Sequence, residues 1–268
     1  MIVALIDNGS LEAASYRNLR HVAIALSTAT ATTVHAVSWK HSDRIPAAAL
    51  DGTPAWALAP FVRAMHALGQ REFLFVPFFI SAQGAIGSAL RRDLERLAAE
   101  LPGLTFSFTP GLADANVLPD ILAARIRSVQ SAHGLLRPPV VLVDHGGPSP
   151  SSAALRDRLA RQLAPTLRPE VGSLVAASME GEHPPLLADQ LGAPGFAGRD
   201  VIVALLFLSP GRHAGPGGDI ARICAASPAR CHLTELIGTH PLAAATLAAA
   251  LRKTQLSRHA AQLASASA

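Results

Sequence analysis

Short apolar runs alternate with longer amphipathic segments from one end of the chain to the other. The runs predicted as strands are Ile2–Ile6, Thr32–Val37, Phe73–Phe79, Leu104–Phe108, Val140–Val143, Ser173–Ala177, Val201–Phe207 and His232–Leu236. Between them the apolar positions recur at helical spacing. Over residues 11–26, for example, Leu11, Ala14, Ser15, Asn18, Leu19, Val22 and Leu26 fall on one face. The strands read as continuous apolar stretches rather than as alternation, the pattern of sheets covered on both faces. The fold class predicted is therefore α/β, with four-stranded parallel sheets and helices on both faces. Right-handed crossovers make such a sheet doubly wound, and its ligands sit beyond the carboxyl ends of the strands.

The chain also resembles itself. IVALIDNGS matches VVLVDHGGPS, which sets Asp7 on Asp144 and Asn8 on His145. FLFVPFFISAQGAIGSAL matches VIVALLFLSPGRHAGPGG, with Phe79 on Phe207 and Ala85 on His213, and TFSFTPG matches CHLTELIG. Three matches in one order, at similar separations, predict two tandem copies of one unit. The turn and breaker residues of SAHGLLRPP put the boundary near 132–139. The expected division is a lobe at 1–135, a second at 136–252 and a tail at 253–268. The second copy has His145, His213 and Asp219 where the first has Asn8, Ala85 and Arg91.

Composition narrows the class. The 268 residues are 50% hydrophobic and 16% charged, enough to bury a sizeable core and too apolar for a disordered chain. The longest strongly apolar run, VIVALLFL at 201–208, is far short of the roughly 20 residues a membrane span needs. The opening MIVALIDNGS reaches Asp7 at once and lacks the shape of a signal peptide. Two cysteines build no disulfide framework, so a reducing cytoplasm is expected. The net charge is +4, almost all of it arginine, since Lys40 and Lys253 are the only lysines. With 4% aromatics and no basic block, neither nucleic acid nor a membrane is an expected partner.

His145 in DHGGPSP and His213 in FLSPGRHAGPGGDI each follow a strand in a glycine-rich loop, so both should reach one sheet edge. Either alone reads first as a histidine satisfying a hydrogen bond of its own loop. Together they could hold a cobalt, iron, nickel or zinc ion and leave coordination positions open. Asp219 reads as a helix cap or as part of that edge. Glu180 and Glu182, after the second strand of the second copy, should reach the same edge; a solvated turn is the alternative, more so for Glu182. His21, His66, His133 and His259 read as core or surface residues. In GTHP, Thr239 is the expected cap with Pro241 in the first turn. Cys224 and Cys231 read as a buried thiol and a loop thiol. The chain has no phosphate-binding G-x-x-x-x-G-K-[ST] and no G-x-S-x-G nucleophile elbow, which disfavours nucleotide and hydrolase chemistry.

DHGGPSP, FLSPGRHAGPGGDI and GTHP in this order, with ASME…PPLL between them, resemble the CbiX/SirB sirohydrochlorin chelatases, the class II chelatases. The likeness is strong over 138–252 and weaker over 1–131. It implies two similar α/β lobes facing across a cleft, fused in one chain, and insertion of Co²⁺ or Fe²⁺, with Ni²⁺ a third candidate, into sirohydrochlorin on the way to cobalamin or siroheme. The metal is then a substrate, and no organic cofactor is expected. The family's metal-binding histidines carry over onto His145 and His213, and its carboxylate onto Glu180. The tetrapyrrole, rich in carboxylates, would meet Gly146, Gly211 and Arg212, with Arg222 and Arg199 as further rim partners. The first lobe lacks the histidines, which leaves one site. The expected state is a monomer or homodimer. The competing reading is a noncatalytic tetrapyrrole or metal carrier with the same fold.

Overall fold

Eight apolar runs become eight strands in a computed structural model that describes residues 1–80, 85–147 and 150–266. The first sheet holds β1 (Ile2–Asp7), β2 (Val34–Ser38), β3 (Glu72–Pro77) and β4 (Thr105–Phe108) in the order β2-β1-β3-β4. The second holds β5 (Pro139–Asp144), β6 (Ser173–Ser178), β7 (Asp200–Leu205) and β8 (Arg230–Leu233) in the order β6-β5-β7-β8. Every pairing is parallel. The repeated order bears out the duplicated α/β unit.

The helices are α1 (Ala13–Thr30), α2 (Leu58–Ala67), α3 (Ala85–Glu100), α4 (Leu118–Ala132), α5 (Pro150–Leu167), α6 (Leu187–Gly192), α7 (Asp219–Ala226) and α8 (Pro241–Ala266). The central strands are buried on both faces because helices cover both. In β1, Ala4 and Ile6 pack with Phe61, Leu90 and Leu94 of α2 and α3, and the intervening Val3 and Leu5 are buried as well. In β5, Val140 through Val143 are fully buried. The strand ends shift by up to three residues from the sequence expectation, most of all in β8, which begins before His232 and ends at Leu233. Cys231 accordingly lies in a strand and not in a loop.

By packing, the chain divides into 1–115 with 241–268, and 116–240. That differs from a cut near 132–139, because the last helix of each repeat is exchanged. Helix α4 packs on α5, and Arg125 on it donates to Leu236 O at 3.2 Å and Thr239 Oγ1 at 2.8 Å while pairing with Glu235. Helix α8 packs on α1, burying Ala243, Leu247, Ala248 and Leu251. Nor is 253–268 a tail: helix continues to Ala266, Gln255 donates to Thr32 Oγ1 at 3.1 Å, and Arg258 pairs with Glu72. Leu247→Ala is expected to cost about 2–5 kcal/mol, the range for a truncated buried leucine, read as a lower urea midpoint. Among the described residues no helix is long and apolar enough to cross a membrane.

Candidate functional site

In the second sheet β5 and β7 are neighbours, but the chain leaves β5 for β6 on one side and β7 for β8 on the other. The loops beyond their carboxyl ends therefore diverge, and the crevice between such loops is where open α/β sheets bind ligands. His145 follows β5 directly, and His213 lies in the loop from β7 to α7.

Both loops are held tightly. Glu180 N–H donates to His145 O at 3.3 Å, and Met179 N–H to Asp144 O at 2.8 Å. At this crossing Gly146 has φ +81, and a Cβ there would stand 1.8 Å from Glu180 O, so only glycine lets the two backbones meet. Beneath them Ser178 Oγ donates to Asp144 at 2.7 Å, and the buried Arg156 donates to Ser178 Oγ and lies 3.8 Å from the Asp144 carboxylate. Burial raises the Asp144 pKa above the ordinary carboxylate value, opposed by the Ser178 hydroxyl and the Arg156 charge. The loop after β7 closes on itself, with Gly215 N–H donating to Gly211 O at 2.8 Å and Ile220 N–H to His213 O at 3.1 Å.

The imidazoles converge from these anchors. Their Nε2 atoms stand 3.3 Å apart and the rings meet edge to face, at 83° with centroids 4.6 Å apart. His213 Nδ1 lies 2.6 Å from Asp219 Oδ2. A carboxylate can only accept, so this contact keeps the proton on Nδ1 and puts the ring's lone pair on Nε2. Hydrogen bonding from His213 and the charge of Arg222 hold the Asp219 carboxyl below its ordinary range. Glu180 Oε1 stands 3.6 Å from His145 Nε2. Burial and the neighbouring His213 lower the His145 pKa, which favours the neutral ring at neutral pH.

An ion bound by two imidazoles at about 2.0–2.1 Å, with a tetrahedral angle between them, would separate the nitrogens by about 3.3–3.4 Å. The observed 3.3 Å meets that requirement. Among the described residues no group of three or more His, Cys, Asp or Glu is placed to enclose an ion. Two ligands with open positions suit an ion that arrives and leaves. Side chains 49% and 29% exposed, for His145 and His213, are within reach of a ligand in solution.

Of the residues singled out in the sequence, His145, His213, Glu180 and Asp219 come together. Asp219 does not cap its helix with its side chain; Gly218 is at the cap, and the carboxylate turns to His213. Arg212 is largely exposed, its Nε 3.9 Å from Asp219, and Arg222 pairs with Asp219. Arg199 is not at this edge: it immediately precedes β7, so it lies at the amino end of the sheet, where it donates to Gly195 O at 3.1 Å. Glu182 is exposed. Helix α8 begins at Pro241 itself, and Thr239 bonds Leu236 O at 3.0 Å in the preceding 3-10 turn. The matched stretches at 81–84 and 148–149, and the side chain of Ala85, lie outside the described residues. Arg156 escaped the sequence reading; its signal was an arginine on the apolar face of α5.

No family model and no curated protein matches the chain. Solved structures do. SirB from Bacillus subtilis with Fe³⁺ is 14% identical and superposes with a TM-score of 0.62 over 95% of this chain and 96% of that one. CbiX, described as the terminal enzyme for biosynthesis of siroheme in denitrifying bacteria, is 19% identical, with a TM-score of 0.64 over 94% of this chain and 99% of that one. SirB from Bacillus subtilis subspecies spizizenii, in complex with cobalt, is 14% identical, with a TM-score of 0.59 over 95% of each chain. This chain has the fold of those chelatases over 94–95% of its length.

Proposed function

We propose that the chain is a sirohydrochlorin chelatase of the CbiX/SirB type, inserting Co²⁺ or Fe²⁺ into sirohydrochlorin from one site in the C-terminal unit. The observation that carries this reading is the pair of Nε2 atoms 3.3 Å apart at the point where the strand order reverses. The motifs around His145 and His213 support it, as does the fold shared with SirB and CbiX. Two free thiols, Cys224 and Cys231, accord with a reducing compartment.

Insertion exchanges one divalent ion for two pyrrole protons. His145 and His213 take the ion on Nε2 by displacing water and present it to the macrocycle. Once the pyrrole nitrogens take the ion, the two freed imidazoles are the bases that accept the two protons, so charge and protons balance. Asp219 fixes the tautomer of His213 and stabilises its imidazolium afterwards, and Glu180 offers the His145 proton a route to solvent. Gly146 and Gly211 keep the rim low, and Arg212 is a cationic partner for substrate carboxylates.

The test is an absorbance assay of sirohydrochlorin with Co²⁺ or Fe²⁺ and the purified chain. Turnover well above the metal-only rate is expected. A noncatalytic carrier would bind the tetrapyrrole and leave that rate unchanged. Asp219→Asn, which keeps the size but loses the charge, is expected to lower metal affinity or turnover about 10–100-fold, as is usual for the partner of a ligating histidine. Cobalt titration followed by visible spectroscopy separates the two effects.

A further inference from the structure

The N-terminal unit keeps the scaffold of the site and reverses its charge. Asp7 ends β1 beside Ser38 as Asp144 ends β5 beside Ser178. Trp39 N–H donates to Asp7 O at 2.8 Å and Lys40 N–H to Asn8 O at 3.3 Å, the distances seen for Met179 and Glu180. Gly9 has φ +88, and a Cβ on it would stand 1.8 Å from Lys40 O, as one on Gly146 would from Glu180 O. Lys40 thus occupies the place of Glu180 to within the detail of the backbone crossing, and Asn8 that of His145. Where the C-terminal unit has an imidazole and a carboxylate, this one has an amide and an ammonium.

Next to Lys40 is a cavity of about 280 Å³ lined by Trp39, Lys40, Arg63, Asp93, Arg96 and Glu100, with apolar residues of α2 and α3 between them. The Lys40 ammonium lies 4.1 Å from the Trp39 ring centroid. Both carboxylates are engaged: Asp93 accepts from Trp39 Nε1 at 2.9 Å, pairs with Arg96 and lies 4.0 Å from Lys40 Nζ, and Glu100 accepts from Arg63 at 2.7 Å. Three cationic heads stand against two carboxylates, an excess of one positive charge, and all three heads are half-exposed or more. A single carboxylate balances that excess, whereas a phosphate dianion overshoots it. Arg63 and Arg96 each meet their carboxylate through Nη2, and the remaining guanidinium N–H groups are the donors a further carboxylate would accept from.

We infer that this cavity is a binding site for a small carboxylate-bearing ligand, seated against Trp39 with its carboxylate on Lys40 and the Arg63 and Arg96 forks. The inference does not rest on the proposed metal insertion, since every residue in it belongs to the N-terminal unit.

The probe is benzoate, titrated into the full chain while the Trp39 indole N–H is followed by ¹H–¹⁵N NMR, with Trp56 as the internal reference. A saturable shift of Trp39 is expected, at least fivefold weaker in Lys40→Glu and intermediate in Lys40→Gln, with unchanged melting temperatures. His145→Ala with His213→Ala should leave it unaltered, which separates this site from the metal site. A shift that does not saturate, or that survives Lys40→Glu and Lys40→Gln at full affinity, would overturn the proposal. Orthophosphate binding more tightly than benzoate would overturn the assignment to a carboxylate.

Discussion

Replacing His213 or His145 with alanine is expected to lower metal insertion by about 10²–10⁴-fold, the usual contribution of a positioned acid–base group. Each change removes one of two nitrogens 3.3 Å apart and one of two proton acceptors, so neither half can serve alone. The fold should survive, because both rings lie on loops at the sheet edge and fill no core. Melting temperatures within about 1 °C of the parent chain, beside lost turnover in the insertion assay, are the expected pair of results. Wild-type turnover in either variant would remove that histidine from the mechanism. Asn8→Ala, at the matching place in the N-terminal unit, should change the rate little; a comparable loss would mean that the first unit shares the chemistry.

Asp7→Asn is expected to make the protein more stable at neutral pH. Asp7 is buried at the end of β1, and although Ser38 and the Gly9 amide hydrogen-bond to the carboxyl, its Oδ1 has no partner among the described residues. The matching carboxyl, Asp144, has the Arg156 guanidinium 3.8 Å away, whereas α1 carries Leu19 where α5 carries Arg156. Without a counter-charge, burial pushes the Asp7 pKa up to about 6 from its ordinary 3.8. A carboxyl raised on folding stabilises the native state below its unfolded pKa, and that contribution is lost as pH rises through about 6. Roughly two pH units correspond to about 3 kcal/mol at pH 7, which the amide variant recovers in part. Urea unfolding at pH 4.5 and pH 7.5 should show Asp7→Asn gaining about 1–3 kcal/mol at the higher pH and little at the lower. Arg156→Leu should do the opposite: it leaves Asp144 as unpartnered as Asp7 and costs about 3–5 kcal/mol near neutrality. Equal effects of Asp7→Asn at the two pH values would refute the ionisation account.

The local pattern carried much of the fold. All eight strands lie near the apolar runs, and the central strands β1, β3, β5 and β7 are the ones whose continuous apolar stretches are buried on both faces; the repeat of IVALID as VVLVD foretold two sheets of one order. His145 and His213 were legible as candidates because each stands in a glycine-rich loop after such a strand. The exchange of α4 and α8 was not legible. An amphipathic helix shows that it has an apolar face, but not which sheet will receive it. The role of Asp219 was open for a related reason: a helix-start aspartate looks the same whether it caps its own amides or reaches a ring six residues back.

By itself, then, the sequence determined what depends on neighbours along the chain: strand positions, the two-sided burial of the central strands, the duplicated unit and the loops that present the two histidines. Tertiary structure alone decided what depends on distances between remote segments. It brought two Nε2 atoms within 3.3 Å, turned Asp219 onto His213, set Arg156 beneath Asp144, and left Asp7 Oδ1 without a partner among the described residues. The physical reason is that hydrophobic burial is almost indifferent to partner identity, so the apolar pattern specifies layers. Hydrogen bonds and charge pairs act over a few ångströms and are settled only when the layers meet.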